Sequence, residues 1–567
     1  MDDDREAGTP DDLGFRPTVP SLLAHACAEY GGVDLLVGPD YRLTFADVDA
    51  LSRRLAVRLL ERGVGKGTRL GLMFPNGPAA VGLFLAAARI GAFVMPLSTL
   101  ARPAEVRATL ALGDVAHVVV PPVLFGRDHL AFFEEALPTL RSSGPRLSLP
   151  EVPYLRHVWT MGPSERPWAA DLDQPGALEA SGRAEALLEA IEAEVTPADW
   201  LVTIWTSGTT SAPKGVVHTH GVQVRHSARL ARLFGVARGE RILAGLPFFW
   251  VGGLTLTLLG ALHGGATLLC VEKLDPDVVL ALADRERPTR ISVWSRRALE
   301  RIVSHPDVDR CDPEAVAPFR RSLESPVGNP RFHNSLGMSE TSGPHTGVPI
   351  DDLQQPLPER LWGSFGRPLP GVEHRVVDPV TGTTRPPGSE GELCVRGDSL
   401  MQGLYKRERH ETFDPAGWFA TGDLGYFEDG YLFFVGRRND MIKTSGSNVA
   451  PLEVEVVLAG LPEVKMAFVF GVPDELLGEA VVAAVVPEGP DGVDPARLID
   501  DARRLLAPYK VPGHVVVLGP DDVPYLMSGK PDVRRIRQQV RNEIGRPEET
   551  GGRAVRPARP GPVTGAR

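Results

Sequence analysis

The sequence predicts an α/β fold in which a large N-terminal domain is followed by a smaller α+β domain. Three observations carry this. Strand and helix patterns alternate through much of the first four hundred residues, as stacked βα units require. The texture then changes near "GYLFFVGRRNDMIKTSG". The 567 residues are also too many for one hydrophobic core. The expected division is 1–436, 437–545 and a Gly, Pro and Arg tail at 546–567 that reads as disordered.

Taken in order, "RLTFADVDALSRRLAVRLLERGV" (42–64) reads as a short strand and an amphipathic helix. Thr44 is its cap, and Ala46, Val48, Leu51, Leu55, Val57 and Leu59 supply much of its apolar face. "TRLGLMFPNG" follows as strand and turn, and "AAVGLFLAAARIGAFVMPL" as a buried helix running into a strand. Ile242–Val271 has no Asp, Glu, Lys or Arg and is long enough to span a bilayer. Pro247 and the pairs Gly252-Gly253 and Gly264-Gly265 interrupt it, so a buried loop, helix and strand is expected and no integral membrane segment. Further on, "GELCVRGDSLMQGLY" and "GYFEDGYLFFVGR" read as short strands with Gly turns. Past the boundary come a helix ("APLEVEVVLAGL"), two strands ("KMAFVFGV", "EAVVAAVVP") and a helix ("ARLIDDARRLL"). No repeat of solenoid period is visible.

The net charge is −11 and the pI about 5.8, which argues against nucleic acid and anionic membrane as partners. The four cysteines (Cys27, Cys270, Cys311, Cys394) form no C-x-x-C pair, so neither zinc nor a disulfide framework is expected. The acidic start "MDDDREAGTPDD" is the opposite of a secretory signal. A reducing, cytoplasmic setting follows. The oligomeric state is left open.

The stretch "TIWTSGTTSAPKGVVHTH" (203–220) packs Ser, Thr and Gly around one Lys. Hydroxyls and Gly N–H groups cradle oxygen anions, and a lysine adds a point charge. The spacing is not that of the common P-loop, which needs Gly, four residues, then Gly-Lys-Ser/Thr. Gly208 and Gly215 let the backbone approach a ligand closely.

The full "TSGTTSAPKG" resembles the phosphate loop of the adenylate-forming superfamily: acyl- and aryl-CoA synthetases, peptide-synthetase adenylation domains and luciferases. The resemblance is nearest to fatty-acid-CoA ligase-like members and runs from about Pro17 to Gly545. It implies a large domain of mixed α/β sheets with a small β-barrel-like part, then a small mobile α+β domain. Thr206, Ser207, Gly208, Thr209, Thr210 and Lys214 inherit contact with the β and γ phosphates of ATP. "NSLGMSET" resembles N-x-Y-G-x-T-E, which assigns Mg²⁺ to Glu340 and the adenylate phosphate to Ser339. A hard carboxylate suits that ion. "WFATGD" resembles the ribose clamp, with Asp423 accepting from the 2′ and 3′ hydroxyls. "GRRNDMIKTSGSNVAPLEVE" resembles the hinge, with Arg437 reaching the ribose, Asn439 as pivot, and Lys443 and Gly446 lining the pantetheine tunnel of coenzyme A. "YLMSGKPDVRR" resembles the C-terminal motif that makes Lys530 the mobile catalytic lysine. "LPFFWVGGLTLTLLGAL" resembles the segment beside the acyl pocket, where Trp250, Gly252 and Gly253 shape room for a bulky apolar acid.

The resemblance implies an ATP-dependent acid–thiol ligase. A lipophilic carboxylic acid becomes acyl-AMP and is transferred to coenzyme A, with one domain rotating between the half-reactions. The sequence departs from the pattern at Ser211, at Asn439, at Leu336 (where an aromatic stacks on adenine), and in lacking a Gly-Gly-Ala loop upstream of Asn334. Alternatives therefore stand beside it: thioesterification alone from a preformed acyl-adenylate, loading of a carrier protein, or an inactive binder of acyl-adenylate or CoA. The insertion that usually marks an acyl-AMP ligase is not seen. Lys214, Glu340, Asp423, Arg437 and Lys530 are all present, which counts against decay.

Overall fold

A computed structural model describes residues 13–176, 178, 181–206, 213–293, 296–323, 334–349, 357–438, 440–444, 447–474, 477–489, 492–525 and 531–544. Contacts divide the chain into two units. The first takes residues 1–375, 394–420 and 428–432, and the second takes 376–393, 421–427 and 433–567.

The first unit holds two large sheets. The larger has eight strands in the order Gly403–Leu404, Lys214–Thr219, Trp200–Thr206, Phe93–Pro96, Arg69–Leu72, His117–Val120, His157–Thr160, Ala169–Asp171. Its run from Trp200–Thr206 onward is parallel, and Lys214–Thr219 pairs antiparallel on both sides. The smaller has the order Arg290–Ser292, Arg241–Ala244, Thr267–Leu269, Asp34–Val37, Arg42–Thr44, with only the last pair antiparallel. Parallel strands buried on both faces read as continuous apolar runs. His117–Val120 is buried at every position.

The helix after Arg42–Thr44 runs Phe45–Glu61. Thr44 caps it as expected: its Oγ1 accepts from Asp47 N, and Asp47 Oδ2 accepts from Thr44 N, a reciprocal box. Helix Pro78–Arg89 is buried over most of its length and ends in Arg89, only 2% exposed. That guanidinium is satisfied: Nε donates to Ser52 Oγ at 2.9 Å, Nη1 to Glu192 Oε1 at 2.6 Å, and Nη2 to Asp49.

Ile242–Val271 is broken up as expected. It forms most of strand Arg241–Ala244, a turn, a π-helix Gly252–Leu259, a short α-helix Gly260–Gly264 and strand Thr267–Leu269. No described helix is long and apolar enough to cross a membrane. The π-helix was not legible from periodicity. Gly253 permits the tight turn before it, because a Cβ there would stand 2.0 Å from the Pro247 carbonyl oxygen.

Three of the predicted short strands join Val372–Val377, which was not predicted, in a four-stranded sheet of order Val372–Val377, Gly391–Gly397, Phe419–Glu428, Tyr431–Arg437, while Gly403–Leu404 pairs into the eight-stranded sheet. In the second unit, strands Val464–Asp474 and Gly478–Pro487 anchor a five-stranded sheet. Alternate residues face two apolar layers. Val469, Val481, Ala483 and Val485 pack with Val454, Leu458 and Leu498 of helices Pro451–Ala459 and Pro495–Leu505. Phe468, Phe470, Val482 and Ala484 pack with Ile536 and Val540 of helix Val533–Ile544. This period of two is what a sheet covered on both faces demands.

Glu455, on helix Pro451–Ala459, is the costly group in this unit. Burial pushes its carboxyl up from 4.5 to about 6; the Val469 N–H it accepts at 2.8 Å opposes the shift and Asp440 adds to it. The folded state therefore prefers the protonated acid. That stability is fully present below 4.5 and is lost as pH rises through about 6. The gap is worth about 2 kcal/mol. Glu455→Gln is expected to raise stability at pH 8 by up to about that amount and to change nothing at pH 4, as read by urea unfolding. Equal stabilities at pH 8 would refute the burial argument.

Candidate active site

The predicted phosphate loop is a hairpin connection. Thr206 ends one strand and Lys214 begins the next, and they face each other in register. Ser207, Gly208, Thr209, Thr210 and Ser211 lie outside the described residues. Gly215 has a different reason for being glycine than the one anticipated. A Cβ there would sit 3.0 Å from the Trp205 ring and 3.1 Å from Tyr405, so it makes room for packing. Lys214 is exposed, with no ion pair among the described residues.

The strand that starts at Lys214 also holds the second predicted motif. His218 Nε2 lies 2.7 Å from the Ser339 carbonyl oxygen. Burial pushes this imidazole down to about 4, so the ring is neutral and Nε2–H is the donor. Ser339 and Glu340 open a 3₁₀ turn, Ser339–Thr341, and Met401 N donates to the Glu340 carbonyl oxygen at 2.8 Å. The Glu340 carboxylate is half-buried and forms no ion pair among the described residues. An anionic oxygen donor without a cation, set on the element bonded to the lysine strand, fits a hard divalent ion. Leu336 is half-buried; its N–H donates to Thr346 Oγ1 at 3.1 Å and its carbonyl accepts from His345 N at 2.8 Å.

The acyl-side segment also belongs to the first unit. Trp250 is half-buried and stands edge-on to Phe249, ring centroids 5.4 Å apart. A cavity of about 430 Å³ takes Pro247 and Phe249 from this segment, but not Trp250, Gly252 or Gly253. Asn76, Leu100, Phe125 and Leu274 also line it. It opens where parallel strands of both sheets end, the usual place for a ligand in such folds. Asn76 pins the two sheets there: Nδ2 donates to the Ala244 and Leu246 carbonyls at 2.8 and 2.7 Å, and Oδ1 accepts from Phe248 N at 2.8 Å. Asn76 and Phe249 were missed in the sequence because their partners are about 170 positions away or come from several segments. The "PNG" turn was the only local signal.

In the second unit the two predicted ribose residues meet. Arg437 Nε is 2.7 Å from Asp423 Oδ1, with Asp423 1% exposed and the arginine half exposed. Asp423 is set by its own backbone: its N–H donates to Thr421 Oγ1 at 3.0 Å, and Thr421 Oγ1 donates to the Leu393 carbonyl at 2.8 Å. Lys443 lies on the hairpin of strands Ile442–Thr444 and Ser447–Val449, exposed, its N–H donating to Glu479 Oε2 at 2.8 Å. Asn439, Gly446 and Lys530 lie outside the described residues. Tyr525 and Pro531 bridge antiparallel across the segment that contains Lys530.

Residues 23–405 match the "AMP-binding enzyme" family and residues 453–530 its "AMP-binding enzyme C-terminal domain". The chain is 30% identical to the indoleacetate–CoA ligase of Aromatoleum aromaticum, over 88% of this chain and 94% of that one. It is 29% identical to the sulfoacetate–CoA ligase of Cupriavidus necator, over 92% and 97%. Among solved structures, ATP-bound MatB from Rhodopseudomonas palustris superposes with a TM-score of 0.71 at 25% identity, covering 92% of this chain and 99% of that one.

Proposed function

Because this chain belongs to the AMP-binding enzyme family, we propose that it is an ATP-dependent acid–CoA ligase, AMP-forming, acting on a lipophilic carboxylic acid. The observation that carries the reading is the strand Lys214–Thr219. It bears the phosphate-loop lysine at one end and, through His218, holds the Ser339–Glu340 turn. The chemistry needs both, since a carboxylate must approach the α-phosphorus of another anion.

In this reading Thr206, the loop hydroxyls and Lys214 hold the β and γ phosphates, and Ser339 contacts the α-phosphate. Glu340 holds Mg²⁺, which supplies neutralisation of phosphate charge. Asp423 accepts from the ribose hydroxyls and Arg437 orients it. Lys530 serves the first half-reaction: the acid's carboxylate oxygen bonds to the α-phosphorus, and pyrophosphate leaves. In the second, the CoA thiolate attacks the acyl carbonyl and AMP leaves, with Lys443 and Gly446 beside the pantetheine. Rotation of the 437–545 domain about Asn439 brings each set in turn. The lipophilic acid is supported by the 430 Å³ cavity walled by Leu100, Phe125, Phe249 and Leu274. A cytoplasmic setting is supported by four cysteines that form no disulfide.

A second reading, thioesterification of a preformed acyl-adenylate, is favoured by Leu336, since base–aromatic stacking is worth ~1–3 kcal/mol. One experiment decides. A panel of fatty, terpenoid and aryl acids is assayed for acid-dependent pyrophosphate–ATP exchange and for acyl-CoA formation, with the same acids supplied as synthetic adenylates. Exchange with a lipophilic acid supports the full ligase. Thioester formation from adenylates without exchange supports the second reading. Neither would leave a binder.

A further inference from the structure

A buried relay joins the acyl-side helix to the nucleotide turn. Thr255 Oγ1 donates to Gln223 Oε1 at 2.7 Å, and Gln223 Nε2 donates to Ser342 Oγ at 2.6 Å. All three residues are fully buried. They come from three elements: the π-helix Gly252–Leu259, the helix His220–Leu233, and the residue that ends the Ser339–Thr341 turn. A primary amide offers an acceptor and a donor on one rigid plane, so Gln223 ties both hydroxyls at once.

Both ends of the relay are held in uncommon geometry. Ser342 has φ +61°, a left-handed conformation that a residue with a Cβ keeps only where its surroundings impose it. Eight residues of π-helix are rare, and such turns gather at functional sites. The π-helix has a second side. Leu254 and Leu258 line a small apolar cavity of about 30 Å³ with Phe74, Phe84 and Phe249, the last being shared with the 430 Å³ cavity. One helix therefore meets the apolar space through its leucines and the nucleotide turn through Thr255 and Gln223.

We propose that Gln223 is a positioning residue that couples the two substrates: an acid seated against the π-helix and the nucleotide held at Ser339–Glu340 tighten each other's binding through the Thr255–Gln223–Ser342 relay. This rests on the functional reading above, which places the acid in the 430 Å³ cavity, whose Phe249 also lines the small cavity with the π-helix leucines Leu254 and Leu258, and the nucleotide at Ser339–Glu340. Binding linkage is reciprocal, so either ligand reports the effect.

The test uses the full-length protein and the Mg²⁺ complex of α,β-methylene-ATP, which binds without being cleaved. Its Kd is measured by calorimetry with and without a saturating acid, taken as whichever of decanoate, deoxycholate and phenylacetate drives the fastest exchange in the wild type. The wild type is expected to bind the nucleotide on the order of 5–10-fold tighter with acid present. Gln223→Met keeps length and apolar packing but removes both hydrogen bonds, and its ratio is expected to fall to about 1. Thr255→Val removes one bond at constant shape and serves if Gln223→Met does not fold; its ratio is expected to fall likewise, and combined with Gln223→Met it adds nothing further. Loss of packing alone changes melting temperature but not this ratio. A ratio near 1 in the wild type, or one that persists in the variants, overturns the coupling while exchange still supports the ligase. A wild type without exchange on any acid overturns the functional reading, and the coupling with it.

Discussion

Lys530→Ala is expected to lower acid-dependent pyrophosphate–ATP exchange by ~10²–10³, the usual effect of removing one preorganised charge from a developing anionic transition state. The same variant, given a synthetic acyl-adenylate and coenzyme A, is expected to form thioester within a few-fold of the wild-type rate. The physical reason is the order of charge development. In the first step two anions meet at phosphorus and pyrophosphate leaves with added charge, so a mobile ammonium is needed. In the second, pyrophosphate has already left, the remaining phosphodiester carries a single negative charge, and the attack is on a neutral acyl carbon, so less charge gathers where the lysine is needed. A loss shared equally by both steps would show that Lys530 acts in holding the fold. No loss in either would remove it from the reaction.

Asp423→Ala is expected to lower kcat/KM for ATP by ~10²–10⁴. In the proposed reading, two charge-assisted hydrogen bonds to the ribose hydroxyls, each ~1.5–3 kcal/mol, are removed. Asp423 is almost wholly buried beside the Arg437 guanidinium, so water does not readily replace it. The diagnostic arm uses 2′,3′-dideoxy-ATP. The wild type should discriminate strongly against it, whereas Asp423→Ala should treat it and ATP nearly alike, because the partner of the missing hydroxyls is gone. Discrimination that survives the substitution would place the ribose elsewhere. Circular dichroism and melting separate this from unfolding.

Much of the fold was legible from local pattern. The Thr44 cap, the buried helix Pro78–Arg89 and the breaks in Ile242–Val271 depend on spacing within a few residues, and all are where the pattern placed them. The motif residues were legible because they are contiguous: Thr206 and Lys214 sit eight positions apart and end up opposed across one hairpin. Gly215 was read for phosphate approach, yet its space is filled by Trp205 and Tyr405. That error is instructive, because a glycine announces close approach but not what approaches.

By itself, then, the amino-acid order determined the alternating architecture, the second small domain and the chemical types offered to a nucleotide, since periodicity, capping and short motifs are local. Tertiary structure alone decided that His218 steadies Ser339, that Asn76 pins two sheets, that Phe249 walls the cavity, and that Gln223 joins the π-helix to Ser342 at the end of the Ser339–Thr341 turn. Each of these pairs residues about 20 to 170 positions apart. Such pairing is settled by packing and by the requirement that buried polar groups find partners, which no local window of sequence expresses.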